Sequence, residues 1–260
     1  MIDTNLRFGD REGDWLSGQG PVSDIVVSSR VRLARNIAGF TFVNKASDLE
    51  REQIVALVAE KAHAWAGGMI FINMNEISAL DRNLLVERHL ISAAHVKGAQ
   101  PRGVAITQDE SVAIMVNEED HLRMKVLGPG LQLGEVYQRI SNVDDQIEEE
   151  IDYSFSDRYG YLTACPTNVG TGIRFSVMLH LPALRLCGEI EKVRRAAKDM
   201  QLALRGFHGE GSESIGDFYQ LSNQTTLGQS EEELLRDFAE GVLPSVLEYE
   251  QSARRSLFSK

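Results

Sequence analysis

The sequence predicts an α+β fold built on antiparallel strands. Three observations carry that prediction. Helix-like and strand-like stretches follow one another without a regular βαβ alternation. Three β-like runs, GVAIT (103–107), SVAIMVN (111–117) and HLRMKVLG (121–128), are joined by short connections, which suggests an antiparallel meander. A Rossmann or P-loop layout has no support, because GTG at 170–172 is not a GxGxxG fingerprint and there is no Walker A sequence.

Residues 1–22 are polar and glycine-bearing and predict an irregular N-terminal segment. DIVVS (24–28) reads as a short strand delivering SSRVRLARN. Ser47 and Glu50 form a capping-box pattern, apolar residues recur helically from Leu49 to Trp65, and Gly67 and Gly68 end the helix. MIFINM (69–74) reads as a strand and ALDRNLLVERHLI (79–91) as a helix. After the meander, residues 131–151 have helical periodicity with an acidic last third. RFSVMLHLP (174–182) alternates as a strand and stops at a proline, and EIEKVRRAAKDM (189–200) is helical. QLALRG (201–206) and DFYQLSN (217–223) read as strands around a glycine-rich loop. Ser230 with Glu233 is a second capping box, opening a helix toward the last residues. No internal repeat, low-complexity segment or linker interrupts the series.

Composition narrows the function classes. The chain has 260 residues, 43% hydrophobic and 25% charged, enough for one large domain or two small ones. Two cysteines, Cys165 and Cys187, make no disulfide framework and no zinc pattern, so a reducing compartment, the cytoplasm, is expected. Cys187 reads as a buried core thiol. The N-terminus lacks an apolar signal region, and no apolar run approaches the roughly 18 to 20 residues of a membrane span. A net charge of −11 disfavours nucleic acid as a partner. Yet 20 of the 27 basic residues are arginine. That is either compositional bias or local anion binding, since a guanidinium clamps phosphate oxygens bidentately. The Arg pairs at 194–195 and 254–255 read as solvated helix faces.

Four short stretches carry candidate chemistry. SSRVRLAR places Arg30 and Arg32 on one face of an extended segment, with Arg35 beyond. NEEDHLR crowds Glu118, Glu119 and Asp120 ahead of His121 and Arg123, and crowded carboxylates raise one another's pKa unless cations or donors compensate. TACPTNVGTGIR combines Cys165, a flexible loop whose N–H groups can turn toward an anion, hydroxyl and amide side chains, and Arg174. LRGFHGEGSES carries Arg205 into a loop centred on Glu210. Each stretch also has a plainer reading: a solvated edge strand, an exposed acidic turn, a glycine loop with an inert cysteine, a mobile surface turn. Together they supply the parts of phosphoryl transfer, which needs positive clamps, Mg²⁺ and a group that positions and deprotonates the nucleophile.

In their chain order, SRVRLAR, NEEDHLR, CPTNVGTGIR and RGFHGEG resemble the ATP:guanidino phosphotransferases, the family of creatine and arginine kinases, over roughly residues 22 to 255. ERHLIS (87–92) and SVMLHLPAL (176–184) look more like its bacterial protein-arginine kinase branch. The resemblance implies a large antiparallel sheet flanked by helices, a guanidino kinase catalytic domain of glutamine-synthetase-like fold, over residues 23–256. It implies ATP and Mg²⁺, with Arg30, Arg32, Arg123, Arg174 and Arg205 on the nucleotide phosphates. Glu119 and Glu210 would contact the substrate guanidinium and Cys165 would lie beside it. Glu118 would sit near the magnesium through water. Ser28, Thr167, Asn168, Gly170, Thr171, Gly172 and His208 would belong to the surrounding loops.

The implied activity is ATP-dependent phosphorylation of arginine side chains on proteins that expose them. A guanidinium is a poor nucleophile while protonated, with a pKa above about 12, so two carboxylates that pin it and accept a proton suit the chemistry. The small-molecule kinases of the family carry an N-terminal helical domain that this chain is read as lacking, which implies a more open guanidinium site. The longer protein-arginine kinases continue into a phosphoarginine-binding C-terminal domain that the chain is also read as lacking, which leaves a homodimer or an activator protein open as partners. A kinase for free arginine or another small guanidino compound, and a non-catalytic nucleotide- or phosphoarginine-binding module, stand as alternatives.

Overall fold

A computed structural model of the protein describes residues 13, 15, 17–206 and 216–259. Its strands are β1 (Val26–Arg35), β2 (Met69–Asn73), β3 (Gly103–Thr107), β4 (Val112–Val116), β5 (Leu122–Pro129), β6 (Phe155–Ser156), β7 (Gly160–Tyr161), β8 (Ile173–His180), β9 (Leu202–Gly206) and β10 (Phe218–Asn223). Its helices are α1 (Asp48–Lys61), α2 (Ala79–Glu87), α3 (Ala93–Val96), α4 (Leu133–Glu148), α5 (Pro182–Leu186), α6 (Ile190–Asp199), α7 (Glu231–Arg236) and α8 (Leu243–Phe258). Eight strands form one sheet in the order β2-β3-β4-β5-β1-β8-β10-β9, and β6 pairs with β7 apart from it. The pairs β2–β3, β3–β4, β4–β5, β8–β10 and β9–β10 are all antiparallel, so the predicted α+β class and the meander hold.

The chain forms two compact units. The first holds Arg32–Val126 and Tyr137–Ile173. Its meander strands are buried along their length because helices cover them: β3 and β4 have no exposed position. Ile54 and Val58, one helical turn apart on α1, are fully buried and together contribute on the order of 3–6 kcal/mol of transfer free energy. On the α2 side, Leu85, Leu90 and Ile91 pack with Ile72, Val104, Ile106 and Met115. The Ser47 capping box forms as expected, with the Glu50 carboxylate accepting from the Ser47 N–H at 2.8 Å.

The second unit holds residues 15–31, Leu127–Val136 and Arg174–Lys260. Phe175, Val177, Leu179, Tyr219 and Leu221 build its core from alternate positions of β8 and β10. Glu250 on α8 is fully buried and accepts the N–H groups of Ala183 and Leu184, the orphan donors at the start of α5.

Several expectations need correction. The strand expected at 24–28 runs to Arg35, so the arginine stretch lies within a strand and not after one. The helix expected over 79–91 stops at Glu87, where His89 takes a left-handed φ of 55°, and α3 starts again behind a Ser92 cap. The C-terminal helix is broken into α7 and α8 by a π-helical turn at Asp237–Val242. Cys187 is exposed, not a core thiol. It caps the C-terminus of α5 between the exposed Leu186 and Gly188, which takes a φ of 73° to turn the chain. Arg254 is not merely solvated: it donates to Glu250 at 2.8 Å and to the carbonyl oxygens of Asp24 and His180.

Candidate active site

The acidic turn between β4 and β5 closes through the Asn117 N–H, which donates to the His121 carbonyl at 2.9 Å. Asn117 takes a φ of 58°, a conformation that asparagine tolerates. Its side-chain amide donates to the carbonyls of Arg51 and Pro101, tying the turn to the start of α1 and to the loop before β3.

Each acidic side chain of the turn has a distinct environment. Glu118 accepts from Ser92 Oγ at 2.7 Å, from Arg123 Nη1 at 2.7 Å and from the Glu119 N–H at 2.9 Å. Burial pushes its pKa up, but the Arg123 cation and these donors outweigh burial and hold the carboxyl below its ordinary value. Glu119 is the exposed one and meets Arg123 Nη1 at 2.8 Å. Asp120 is fully buried. Its Oδ1 accepts from Asn36 Nδ2 and from the Ala164 N–H, both at 2.7 Å, while Oδ2 has no hydrogen-bond partner. Burial, reinforced by the Glu119 charge, raises its pKa.

His121 is structural. Its Nδ1 accepts the Ile37 N–H at 3.0 Å, which leaves Nε2 to donate to the Thr41 carbonyl at 2.9 Å, and burial depresses its pKa.

Through Asp120 the acidic turn is joined to the cysteine loop. Cys165 is half-buried, with Sγ 3.0 Å from Thr167 Oγ1, and its carbonyl accepts from Thr163 Oγ1 and from the Asn168 N–H. Pro166–Asn168 make a single 3₁₀ turn. Gly170 bridges to Tyr161. Gly172, at a φ of 67°, cannot be replaced freely: a Cβ there would lie 2.6 Å from the Ala34 carbonyl oxygen, and the Ala34 N–H bonds Gly172 O at 3.1 Å. Thr171 O accepts from Arg35 Nη1 at 2.7 Å. Arg35 shares β1 with Arg30 and Arg32 but has a different role. It is buried against Asp144 and stacks 3.5 Å over the Tyr161 ring, so it anchors the loop and does not face a ligand.

A cleft of about 420 Å³ opens beside these groups, lined by Glu118 and Glu119, by Ala164 next to Cys165, and by Arg51, Gln100 and Arg102.

In the second unit, the register gathers three of the candidate arginines. Gln220 on β10 lies opposite Arg205 on β9 and opposite Met178 on β8. Alternation puts Arg174, Ser176 and Met178 on that same face. Arg30 reaches it too, donating from Nη2 to Gln220 Oε1 at 2.7 Å and from Nε to Ser176 Oγ at 3.2 Å. Arg30, Arg174 and Arg205 are all half-buried, as are Arg32 on β1 and Arg123 on β5. Ser28 is buried on β1. Glu210 and His208 lie outside the described residues. Sequence reasoning missed Ser92, Ser176, Gln220 and Asn36 as supports. None has a local signal beyond its polarity, whether on a strand (Ser176, Gln220), at a helix cap (Ser92) or just past a strand end (Asn36).

Among the described residues no cluster of three or more His, Cys, Asp or Glu could hold a metal ion. Glu118 has both oxygens engaged, which suits a magnesium that arrives on the nucleotide and meets the carboxylate through water.

The model of the family described as ATP:guanido phosphotransferase, C-terminal catalytic domain, matches residues 50–253. The chain belongs to this family. Protein-arginine kinase from Halothermothrix orenii is 44% identical over 261 aligned positions, spanning 100% of this chain and 73% of that protein. Protein-arginine kinase from Geobacillus thermodenitrificans is 46% identical, spanning 96% of this chain and 70% of that protein. Among solved structures, the duplicated taurocyamine kinase from Schistosoma mansoni with bound transition-state-analogue components superposes with a TM-score of 0.81 at 28% identity; the match covers 94% of this chain and 36% of that one. Lombricine kinase matches with a TM-score of 0.78 at 24% identity, over 96% of this chain and 71% of that one, a likeness of fold. The acidic turn, the cysteine loop and the arginine face are thus parts of a guanido phosphotransferase fold.

Proposed function

We propose that this chain is a cytoplasmic protein-arginine kinase, transferring the γ-phosphoryl group of ATP to a guanidinium nitrogen of arginine side chains exposed on proteins. In this reading the catalytic domain spans residues 23–256. The observation that carries the reading is the 2.7 Å bond from the Ala164 N–H to Asp120, which ties the Glu119 turn to the Cys165 loop beside one cleft. Extensive similarity to proteins named protein-arginine kinase supplies the acceptor class.

In this reading Arg30, Arg32, Arg123, Arg174 and Arg205 hold the phosphates and offset the charge on the transferring group. Glu118 would sit beside a magnesium brought with ATP, through water, and the ion would supply neutralisation of the phosphate charge. The acceptor guanidinium lies against Glu119, with Glu210 as the second carboxylate and Cys165 orienting the reacting nitrogen. As that nitrogen forms its bond to the γ-phosphorus, the bond from phosphorus to the β,γ-bridging oxygen breaks. The departing oxygen keeps the electron pair on ADP, and Glu119 takes the guanidinium proton. Thr167, Asn168, Gly170, Thr171 and Gly172 keep the cysteine loop in place. Ser28 and His208 complete the proposed surroundings.

The test is incubation with an arginine-containing protein acceptor and γ-labelled ATP-Mg. Acid-labile label on arginine is expected. Label on serine alone, or none, overturns the reading.

A further inference from the structure

The cleft beside Glu119 has a second, cationic wall that the transfer chemistry does not use. Arg51 from α1 and Arg102 from the loop before β3 line it together with the two glutamates. The two segments are held side by side, because the Asn117 amide donates to the Arg51 and Pro101 carbonyls at 3.0 and 3.1 Å. Arg51 has a carboxylate partner, Asp48 at 2.6 Å. Among the described residues Arg102 has none: its guanidinium donates only to the carbonyls of Ala94 and His95 and, at 3.5 Å, to the Gln100 side chain. The Nε atoms of both arginines are buried without a hydrogen-bond partner.

The Arg102 head group is also fixed in position. It lies against Gly98 so closely that a Cβ there would sit 2.3 Å from its Cζ. Burial, and then the neighbouring Arg51 cation, push its pKa below the ordinary value, with Glu118 opposing from across the cleft. Glu118 itself is already committed to Arg123 and Ser92. A positioned guanidinium that lacks a carboxylate and faces a like charge is stabilised by a bound anion.

We infer that Arg102, seconded by Arg51, reads a carboxylate on the acceptor polypeptide close to the target arginine, so that this cleft selects arginines with an acidic neighbour. The inference rests on the kinase reading above. One cleft would then take both parts of the acceptor: Glu119 the guanidinium, and Arg102 the adjacent acidic side chain. The α-carboxylate of free arginine offers the same chemistry, and the test separates the two sources.

The experiment measures kcat/KM for acid-labile phosphorylation of peptides that differ only in carrying Asp, Ala or Lys beside a single arginine. Free arginine and agmatine are assayed in parallel. The wild-type protein is expected to favour the Asp peptide over the Lys peptide by roughly tenfold, mainly through KM, as charge-assisted contacts do. Arg102→Gln should compress that ratio to about twofold, and Arg102→Lys should restore part of it. Gly98→Ala keeps the charge but displaces the head group, and should compress the ratio as well.

An unchanged ratio in Arg102→Gln, or no preference in the wild type, overturns the inference while leaving the kinase reading intact. Free arginine turned over faster than every peptide, with Arg102 dependence and with agmatine poor, overturns the polypeptide assignment. No label on any peptide or on free arginine removes the kinase reading and this inference with it.

Discussion

Among single residues, environment separates chemically similar groups. Three consecutive acidic side chains share one turn, yet Glu118 is held ionised by Arg123 and Ser92, Asp120 is buried with one oxygen unpartnered, and Glu119 is exposed to the cleft. That sorting makes Glu119 the carboxylate able to meet an incoming cation. Replacing it by Gln keeps the shape and removes the base. Turnover of arginine acceptors should fall by about 10²- to 10⁴-fold, while ATP affinity measured by calorimetry stays within about twofold, because no nucleotide contact is assigned to it. A parallel loss of ATP binding would argue that Glu119 supports the nucleotide side instead. Gly172 makes a steric prediction. Its φ of 67°, with a backbone oxygen 2.6 Å from where a methyl group would sit, leaves no room for alanine. Gly172→Ala should destabilise the fold by more than about 2 kcal/mol in urea titration; an unchanged midpoint would show that the cysteine loop can move away.

Among the elements, short helices carry long-range information. The four residues of α3 place His95 in the interior, 1% exposed, with Nε2 3.0 Å from the Gly103 carbonyl. Burial lowers the His95 pKa to about 4 from an ordinary value of 6.5, with the Gly103 carbonyl and Glu118 opposing. The folded state therefore keeps the ring neutral where the unfolded chain would protonate it. Its stabilising contribution is intact above pH 6.5 and is lost as pH falls toward 4, by about 3 kcal/mol at full extent. His121, whose pKa burial also lowers, acts with the same sign. In urea titrations across that window, His95→Gln should lose less stability on acidification than the wild type. Equal slopes would mean that α3 opens before the ring is protonated.

For the molecule as a whole, charge and ligand binding set the expectations. The net charge is −11, and no described helix is long and apolar enough to cross a membrane. Against that acidic background, the arginines proposed for the phosphates come from four strands, β1, β5, β8 and β9, far apart in sequence. A ligand that engages all of them should stabilise the folded chain. ATP-Mg at a hundred times its Kd is expected to add about 2.7 kcal/mol, visible as a rise in Tm. Arg205→Ala, on a strand at the sheet's end, should lose most of that rise, each liganded Tm being compared with that of the same variant without ligand. A wild-type Tm that ignores ATP-Mg would exclude the phosphate assignment.

Local features were readable from the chain itself. The capping boxes at Ser47 and Ser230 are four-residue patterns, strand alternation already placed Arg30 with Arg32, and short connections already gave the meander its antiparallel order. Family motifs named the acidic turn and the cysteine loop before any geometry. Contacts between distant segments were not legible: Gln220 on Arg30, 190 positions away, Asp120 on Ala164, 44 positions away, and Arg102 beside Arg51 in one cleft. The misjudged Cys187 has the same origin, since hydrophobicity favours burial but only packing decides which side of a helix end faces water. Periodicity and capping arise from interactions within a few residues, so the amino-acid order alone was enough to set most of the elements, while the class of chemistry came from motifs that resemble a known family. Which polar groups meet, and so which carboxylate faces the cleft, depends on strand register and loop closure, and these exist only once the chain has folded.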